Sequence, residues 1–102
     1  MALQMAHQTI TKKIPGGKLV RLKAALVNGR LVKPQLSGDF FVMPSEKLVL
    51  LETVLDGYEV EHLTDLQKKL DQIIESSHMQ IAGFGTADIV EMVKQLAGQG
   101  FR

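Results

Sequence analysis

Apolar and polar residues alternate with a period of two in the first half of the chain. Apolar residues occupy every second position from Val20 to Leu26, and Arg21 and Lys23 stand between them. This period predicts a strand with one buried face. Asn28-Gly29 is then the sequence of a hairpin turn that leads into a second strand.

Two registers of this hairpin can be compared from the sequence. A two-residue turn would place Leu22 opposite Gln35, whereas a three-residue loop over residues 27–29 would place Leu22 opposite Pro34. The second register pairs apolar residues throughout, and a slip by one residue would bury the charged set, so it is the one we predict. Pro34 lacks a backbone donor, which predicts that the second strand lies at an edge or bends there.

A third strand and a first helix follow. Phe40–Val42 resume the strand pattern, and Pro44 fits the first position of a helix that runs to about Leu55. Gly57 is expected to end this helix, because glycine readily adopts the left-handed backbone conformation found after a helix C-terminus. The apolar arc of this helix is wider than the roughly 100° that a surface helix needs, so part of it is expected to need a cover.

Two further helices are predicted near the end of the chain. Thr64 and Gln67 match a capping box, and Thr86 is expected to cap the last helix. The overall order predicts an α+β fold, with a three-stranded, mainly antiparallel sheet followed by three helices packed on one face. The core stripes are predicted to be Leu66, Leu70, Ile73 and Ile74 in the second helix, and Ile89, Met92, Val93 and Leu96 in the third.

Length and composition predict a single domain over residues 12–102, after a loosely ordered lead-in or short helix over residues 1–11.

Basic and acidic residues are distributed unevenly along the chain. Residues 1–38 hold seven Lys or Arg and no carboxylate, while residues 39–102 hold five Lys or Arg and eleven carboxylates, or 5 minus 11, giving minus 6. This asymmetry suits docking to an acidic or anionic partner through the basic half. The alternative is that the two halves form oppositely charged layers that neutralise each other. Without an apolar run of bilayer length or a secretory signal, we expect a cytoplasmic protein.

The sequence predicts no catalytic residues and no metal site. The three histidines, His7, His62 and His78, share no metal-ligand spacing. Asp39 and Glu46 could form an acid/base pair, but an aspartate in a turn more commonly bonds nearby backbone N–H groups, so a structural role is expected. There are also no cysteines, which excludes thiolate chemistry.

Four segments together resemble the accessory domain of lipoate-protein ligases, in the form in which that domain is a separate small subunit. They are "PGGKLV" before the first strand, "GDFF" after the second, "MPSE" before the first helix, and, more loosely, "IAGFGTADIVEMV". The resemblance covers roughly residues 12–97. The family pattern usually has a second acidic residue after the proline, where this chain has Ser45.

The resemblance implies a non-catalytic subunit that binds no cofactor alone. A larger catalytic subunit would hold lipoate, ATP and Mg, form lipoyl-adenylate and transfer the lipoyl group to a lysine of a lipoyl carrier domain. That large subunit would be the direct partner, and the carrier domain an indirect one. A small basic nucleic-acid-binding module is the alternative, ranked second because no aromatic residue precedes Phe40 to serve as a stacking platform.

The phenylalanine pair is the predicted partner interface. One ring is expected to enter the core, and the other, with Val49 or Leu50, to contact the catalytic subunit; the alternative is that both rings are core. The "PGGK" segment is weak as a phosphate-binding pattern and fits a flexible turn. The resemblance implies that its lysine could lie near the adenylate or near acidic groups of the partner. The candidates for that contact are Lys13, Gly16, Gly17 and Lys18, and the residues of the structural motif are Gly38, Asp39, Pro44 and Glu46.

Overall fold

The computed structural model of the protein describes residues 7–16 and 18–100. None of the helices in this part of the chain is long and apolar enough to cross a membrane. Short 3-10 turns lead into the first two helices. The strands are β1 (His7–Ile14), β2 (Lys18–Val27), β3 (Arg30–Gly38), β4 (Phe41–Met43) and β5 (Gln80–Ala82), and the helices are α1 (Leu48–Leu55), α2 (Leu66–Ser76) and α3 (Thr86–Gly100).

The predicted fold class is confirmed, but the third strand of the main sheet comes from a different segment. The main sheet has the antiparallel order β1-β2-β3, and β4 pairs instead with β5 in a separate two-stranded sheet. Of residues 1–11, expected to be a loosely ordered lead-in or short helix, residues 7–11 belong to β1 and residues 1–6 lie outside the described residues. The strand pattern of β1 is weak because two of its four inward positions are polar, namely Gln8 and Lys12.

The predicted hairpin register is wrong. Asn28 and Gly29 both have positive φ, 51° and 75°, and form a two-residue turn that pairs Leu26 with Leu31. A bulge then shifts the register, so that Leu22 lies opposite Leu36. The extra residue of the bulge is on β3, at Lys33 and Pro34. This agrees with the prediction made from the missing backbone donor of Pro34, because β3 is an edge strand of the sheet. The bulge keeps apolar residues facing inward on both sides of it.

The starts of α1 and α2 differ from the predictions, although the end of α1 and the start of α3 at Thr86 agree. Pro44 precedes a 3-10 turn over Ser45–Lys47, and α1 itself begins at Leu48. The capping box predicted at Thr64 does not form, because α2 begins after Asp65 without a side-chain cap. Gly57, with φ 78°, follows the end of α1.

The core lies between the inner face of the three-stranded sheet and the helices. Helix α1 packs against β3, α3 against β1 and β2, and α2 against the other two helices. The inward stripe of α3 is fully buried as predicted, whereas in α2 Ile73 and Ile74 are only partly buried. The largest fully buried side chains are Leu22, Leu31, Leu51, Leu55, Leu66, Leu70, Ile89, Met92 and Leu96.

Candidate functional site

The candidate site is built where the end of β3 pairs with the start of β2. Gly38 has φ 141°, and a Cβ atom there would lie 2.1 Å from the Leu19 carbonyl oxygen. The next residue, Asp39, donates its backbone N–H to that same oxygen at 2.7 Å. Only glycine allows so close an approach of the two backbones. The "GDFF" segment is therefore held against β2, and this fixes the directions of the two phenylalanines.

The two rings have different environments. Phe40 is partly buried and meets Phe84 edge to face, with the ring centroids 4.9 Å apart and the planes at 88°. Gly83 leaves room for this packing, since a Cβ atom there would lie 2.8 Å from the Cβ of Phe40. Phe41 begins β4 and is 68% exposed. The structure thus places one ring against the core and the other in solvent.

Phe41 belongs to a solvent-facing apolar surface on the small sheet. Its register partner on β5 is Ala82, and Met43 is paired with Gln80, so these four side chains share one face. All four are exposed, and Met43 is 63% exposed. We call this surface the Phe41 face. Val42, between the two large residues, points the other way and is buried.

A groove of about 410 Å³ adjoins the Phe41 face. It brings together residues from two sequence motifs that are distant in the chain, "PGGK" and "GDFF", and we call it the Lys18 groove. Lys13 does not line it, and Gly17 lies outside the described residues. Lys18 and Asp39 both line the groove, so residues of both signs of charge are present. The groove is lined by Gly16, Lys18, Gly38, Asp39, Phe40 and Phe41.

The candidate residues on α1 lie elsewhere. Val49 is 55% exposed and lines a different depression, with Pro34 and Thr53, while Leu50 is partly buried against the core. Pro44 and Glu46, predicted as parts of the motif, are exposed in the connection between β4 and α1. The apolar surface is therefore divided between the Phe41 face and the Val49 side of α1.

Sequence reasoning missed Met43. The two-residue period of a strand places Met43 on the same side as Phe41, and this signal was available once Phe41 was taken as exposed. The partner strand β5 was harder to find, because three residues, Gln80–Ala82, are too few to establish a period. Within the described residues, no three His, Asp or Glu side chains converge as metal ligands do.

Ion pairs tie the basic and acidic halves of the chain together. Lys12 Nζ lies 2.8 Å from Asp88 Oδ1 and 2.6 Å from Glu91 Oε2 on α3. The hydrogen bond to Asp88, with a smaller effect from Glu91, raises the pKa of Lys12. Lys12 in turn lowers the pKa of Asp88, which also accepts the Gly85 N–H. Arg30 and Glu59 form a second pair at 2.6 Å.

The fold has a counterpart among solved structures, although comparisons of the sequence find none. No protein-family model matches the chain, and no curated protein matches it. A structural comparison finds a chain from an archaeal lipoylation system of Thermoplasma acidophilum, described as a bipartite lipoate protein ligase and its E2 lipoyl domain. The TM-score is 0.66 at 21% identity, over 86% of this chain and 97% of the other. This chain therefore has the fold of a component of that lipoylation system.

Proposed function

We propose that this protein is the accessory subunit of a two-component lipoate-protein ligase. In this role it has no turnover of its own. It binds a larger catalytic subunit that activates lipoate with ATP and transfers the lipoyl group to a lysine of a carrier domain. The accessory subunit assists the activation step, and we propose that it does so by helping to close the site against water, which would otherwise hydrolyse the adenylate.

The observation that carries the proposal is the structural match. The region shared with the chain from the bipartite ligase system covers 97% of that chain, so the likeness extends over a whole component. The match depends on the path of the backbone, whereas the family resemblance depends on sequence motifs such as "PGGKLV" and "GDFF". Two different kinds of comparison therefore support one proposal.

The Phe41 face gives the proposal a physical basis. Side chains as large and apolar as Phe41 and Met43 are 68% and 63% exposed, side by side on the same small sheet. Burying the exposed parts of both against another protein would contribute about 2 to 4 kcal/mol. Exposed aromatic and methionine side chains are also typical of the buried centre of protein interfaces. We therefore assign this face to the contact with the catalytic subunit.

The Lys18 groove continues the proposed contact. Because it contains Lys18 and Asp39 together, it suits a polypeptide segment that carries both signs of charge better than it suits a free anion. Lys18 could then pair with an acidic group of the large subunit, or lie near the adenylate formed there. Substituting Lys18 by Ala should distinguish these roles. Loss of a pairing with the large subunit weakens its binding, whereas loss of a contact with the adenylate slows lipoyl-adenylate formation in the assembled complex.

A reconstitution tests the proposal. The candidate large subunit, ATP, Mg, lipoate and a lipoyl domain are mixed with and without this chain, and the lipoyl domain is weighed by mass spectrometry over time. We expect the lipoyl mass to accumulate at least tenfold faster with the chain present. Equal rates in the two mixtures would show that the chain is not an accessory subunit of that ligase.

A surface variant makes the same experiment specific to the Phe41 face. The double variant Phe41→Ser/Met43→Ser should lose most of the acceleration. Val27→Ser is the matched control, because Val27 is also an exposed apolar residue but lies at the far end of the β2–β3 hairpin. Val49→Ser shows whether the α1 side belongs to the interface, as the sequence pattern predicts. Circular dichroism of each variant checks that it is folded.

A further inference from the structure

The outer face of the three-stranded sheet carries a row of basic residues. Lys13, Arg21 and Lys23 are exposed and belong to the outward positions of β1 and β2. Arg21 and Lys23 are about 7 Å apart along one strand, and Lys13 lies beside Leu19, two residues from Arg21. The exposed side chains around these three residues include no carboxylate. We call this surface the basic sheet face, and its other members are His7, Thr9, Thr11, Gln35 and Ser37.

The charges of this face are not used inside the molecule. The cations that do pair internally, Lys12 and Arg30, meet carboxylates of the second half of the chain. Across residues 7–16 and 18–100, the structure shows no ion pair or side-chain hydrogen bond for Lys13, Arg21 or Lys23. The acidic half of the chain therefore neutralises only part of the basic half, and a face with no carboxylate remains.

We infer that the basic sheet face binds an acidic surface on the protein substrate, the carrier domain whose lysine receives the acyl group. This inference rests on the proposed function. In such a ligase the carrier domain must arrive, react and leave in every turnover, and charged, polar surfaces give fast association with weak binding. The Phe41 face has the opposite character and suits the lasting contact with the catalytic subunit.

The position of the face supports this division of roles. Lys13 is the register partner of Leu19, which is the neighbour of Lys18 in the chain. The basic row therefore runs along the sheet toward the Lys18 groove, where the catalytic subunit is proposed to dock. A carrier domain held on the row would be adjacent to the proposed contact between the two subunits.

The composition of the face argues for a protein partner and against nucleic acid. Its exposed side chains offer Lys, Arg, Thr, Ser and Gln groups and the imidazole of His7, but no Phe, Tyr or Trp ring. Sheets that bind single-stranded nucleic acid stack successive bases on several aromatic residues, which a single imidazole at the end of β1 does not provide. The exposed phenylalanine, Phe41, belongs to the other sheet. Hydroxyl, amide and ammonium groups together match a surface of carboxylates and backbone carbonyls.

The charge-reversal variant Arg21→Glu/Lys23→Glu tests the inference. With the complete ligase at low salt, we expect KM for the lipoyl domain to rise about 5- to 30-fold, while the rate of lipoyl-adenylate formation without the lipoyl domain is unchanged. We also expect KM of the wild-type complex to rise with salt, and that dependence to weaken in the variant. The control is Lys68→Glu/Lys94→Glu, which makes the same change of net charge at exposed positions of α2 and α3 and should leave KM within twofold.

A direct binding measurement separates this inference from the proposed function. Fluorescence anisotropy of a labelled lipoyl domain, titrated with the isolated chain, needs no catalytic subunit. We expect salt-sensitive binding that the Arg21/Lys23 variant loses and the Lys68/Lys94 control keeps. Equal binding and equal KM for the two variants would overturn the inference even if the chain accelerates the ligase. Loss of retention on single-stranded DNA in the Arg21/Lys23 variant, with KM for the lipoyl domain unchanged, would overturn it in favour of nucleic acid.

Discussion

Phe40 and Phe41 are neighbours in the chain but belong to two differently built regions. Phe40 packs edge to face on Phe84 and lies partly buried against the core. Phe41 and Met43 lie on the outside of a two-stranded sheet with more than half of each side chain in solvent. The comparison teaches that residue type alone does not assign a role. The close backbone pairing at Gly38 sets which ring faces inward, and substitutions in the two regions should therefore change different measurements.

The largest effect is expected for Gly38→Ala. The added Cβ would lie 2.1 Å from a backbone oxygen of β2, and φ near 141° is strained for any residue with a side chain. Relieving the clash should break the hydrogen bond from the Asp39 N–H to the Leu19 oxygen. We expect the free energy of unfolding to fall by about 3 kcal/mol or more. Urea denaturation measures it, and a loss below about 1 kcal/mol would show that β3 can move away from β2 freely. Gly98→Ala, at an exposed position of α3 with open space around it, is the matched control.

The direct comparison of the two rings should give the next largest effect. Phe40→Ala removes a partly buried ring together with its contact to Phe84, and should lower the free energy of unfolding by about 2 to 3 kcal/mol. Phe41→Ala should change it by no more than about 0.5 kcal/mol. Thermal and urea denaturation of the two variants measure both values. Equal losses would contradict the division into an inner and an outer ring.

The smallest effect concerns the ion pairs of Lys12. In Asp88 the lowered pKa contributes stability that is present above the ordinary carboxyl pKa near 4 and is lost as the pH falls through the folded value. In Lys12 the raised pKa contributes stability that is present below the ordinary lysine pKa and is lost as the pH rises through the folded value.

Lys12→Met should therefore lower the free energy of unfolding between about pH 5 and 9, by less than about 1 kcal/mol. The difference from wild type should narrow as the pH falls below about 4, which urea denaturation at a series of pH values will show. A difference that stays constant down to pH 2 would mean that the side chain acts through packing alone. Lys94→Met, on the same helix as Asp88 and exposed, controls for the loss of one charge.

The helices and the central hairpin could be predicted because their periods are strong. In α3, Ile89, Met92, Val93 and Leu96 repeat at helical spacing, and all four are fully buried. Between Val20 and Leu26 the strand period is equally clear. These features depend on local sequence, so the pattern is sufficient to find them.

Other features could not be predicted because they depend on distant residues. Lys12 faces inward on β1, where its partners are carboxylates of α3, so no local pattern shows that its segment is a strand. The β-bulge depends on Lys33, which adopts φ 53° although residues with a side chain rarely do. The bulge allows the two-residue turn and the inward direction of Leu36 to occur together. A single uniform register with that turn would point Leu36 outward.

The candidate site was predictable in part for the same reason. The segments "PGGK" and "GDFF" both belong to the family resemblance, and the structure brings Lys18 and Phe41 to the same groove. The sequence could not place Val49 on a different side, because its distance from Phe41 depends on how α1 packs on β3. The roles of all these residues in partner binding remain predictions.

The affinity between this chain and the candidate catalytic subunit, measured by isothermal titration calorimetry, tests most directly whether the Phe41 face is the docking surface. The account predicts that Phe41→Ser/Met43→Ser binds at least tenfold more weakly than wild type, or about 1.4 kcal/mol, while its melting temperature is nearly unchanged and Val27→Ser binds normally. Equal affinity of the double variant and wild type would contradict the account.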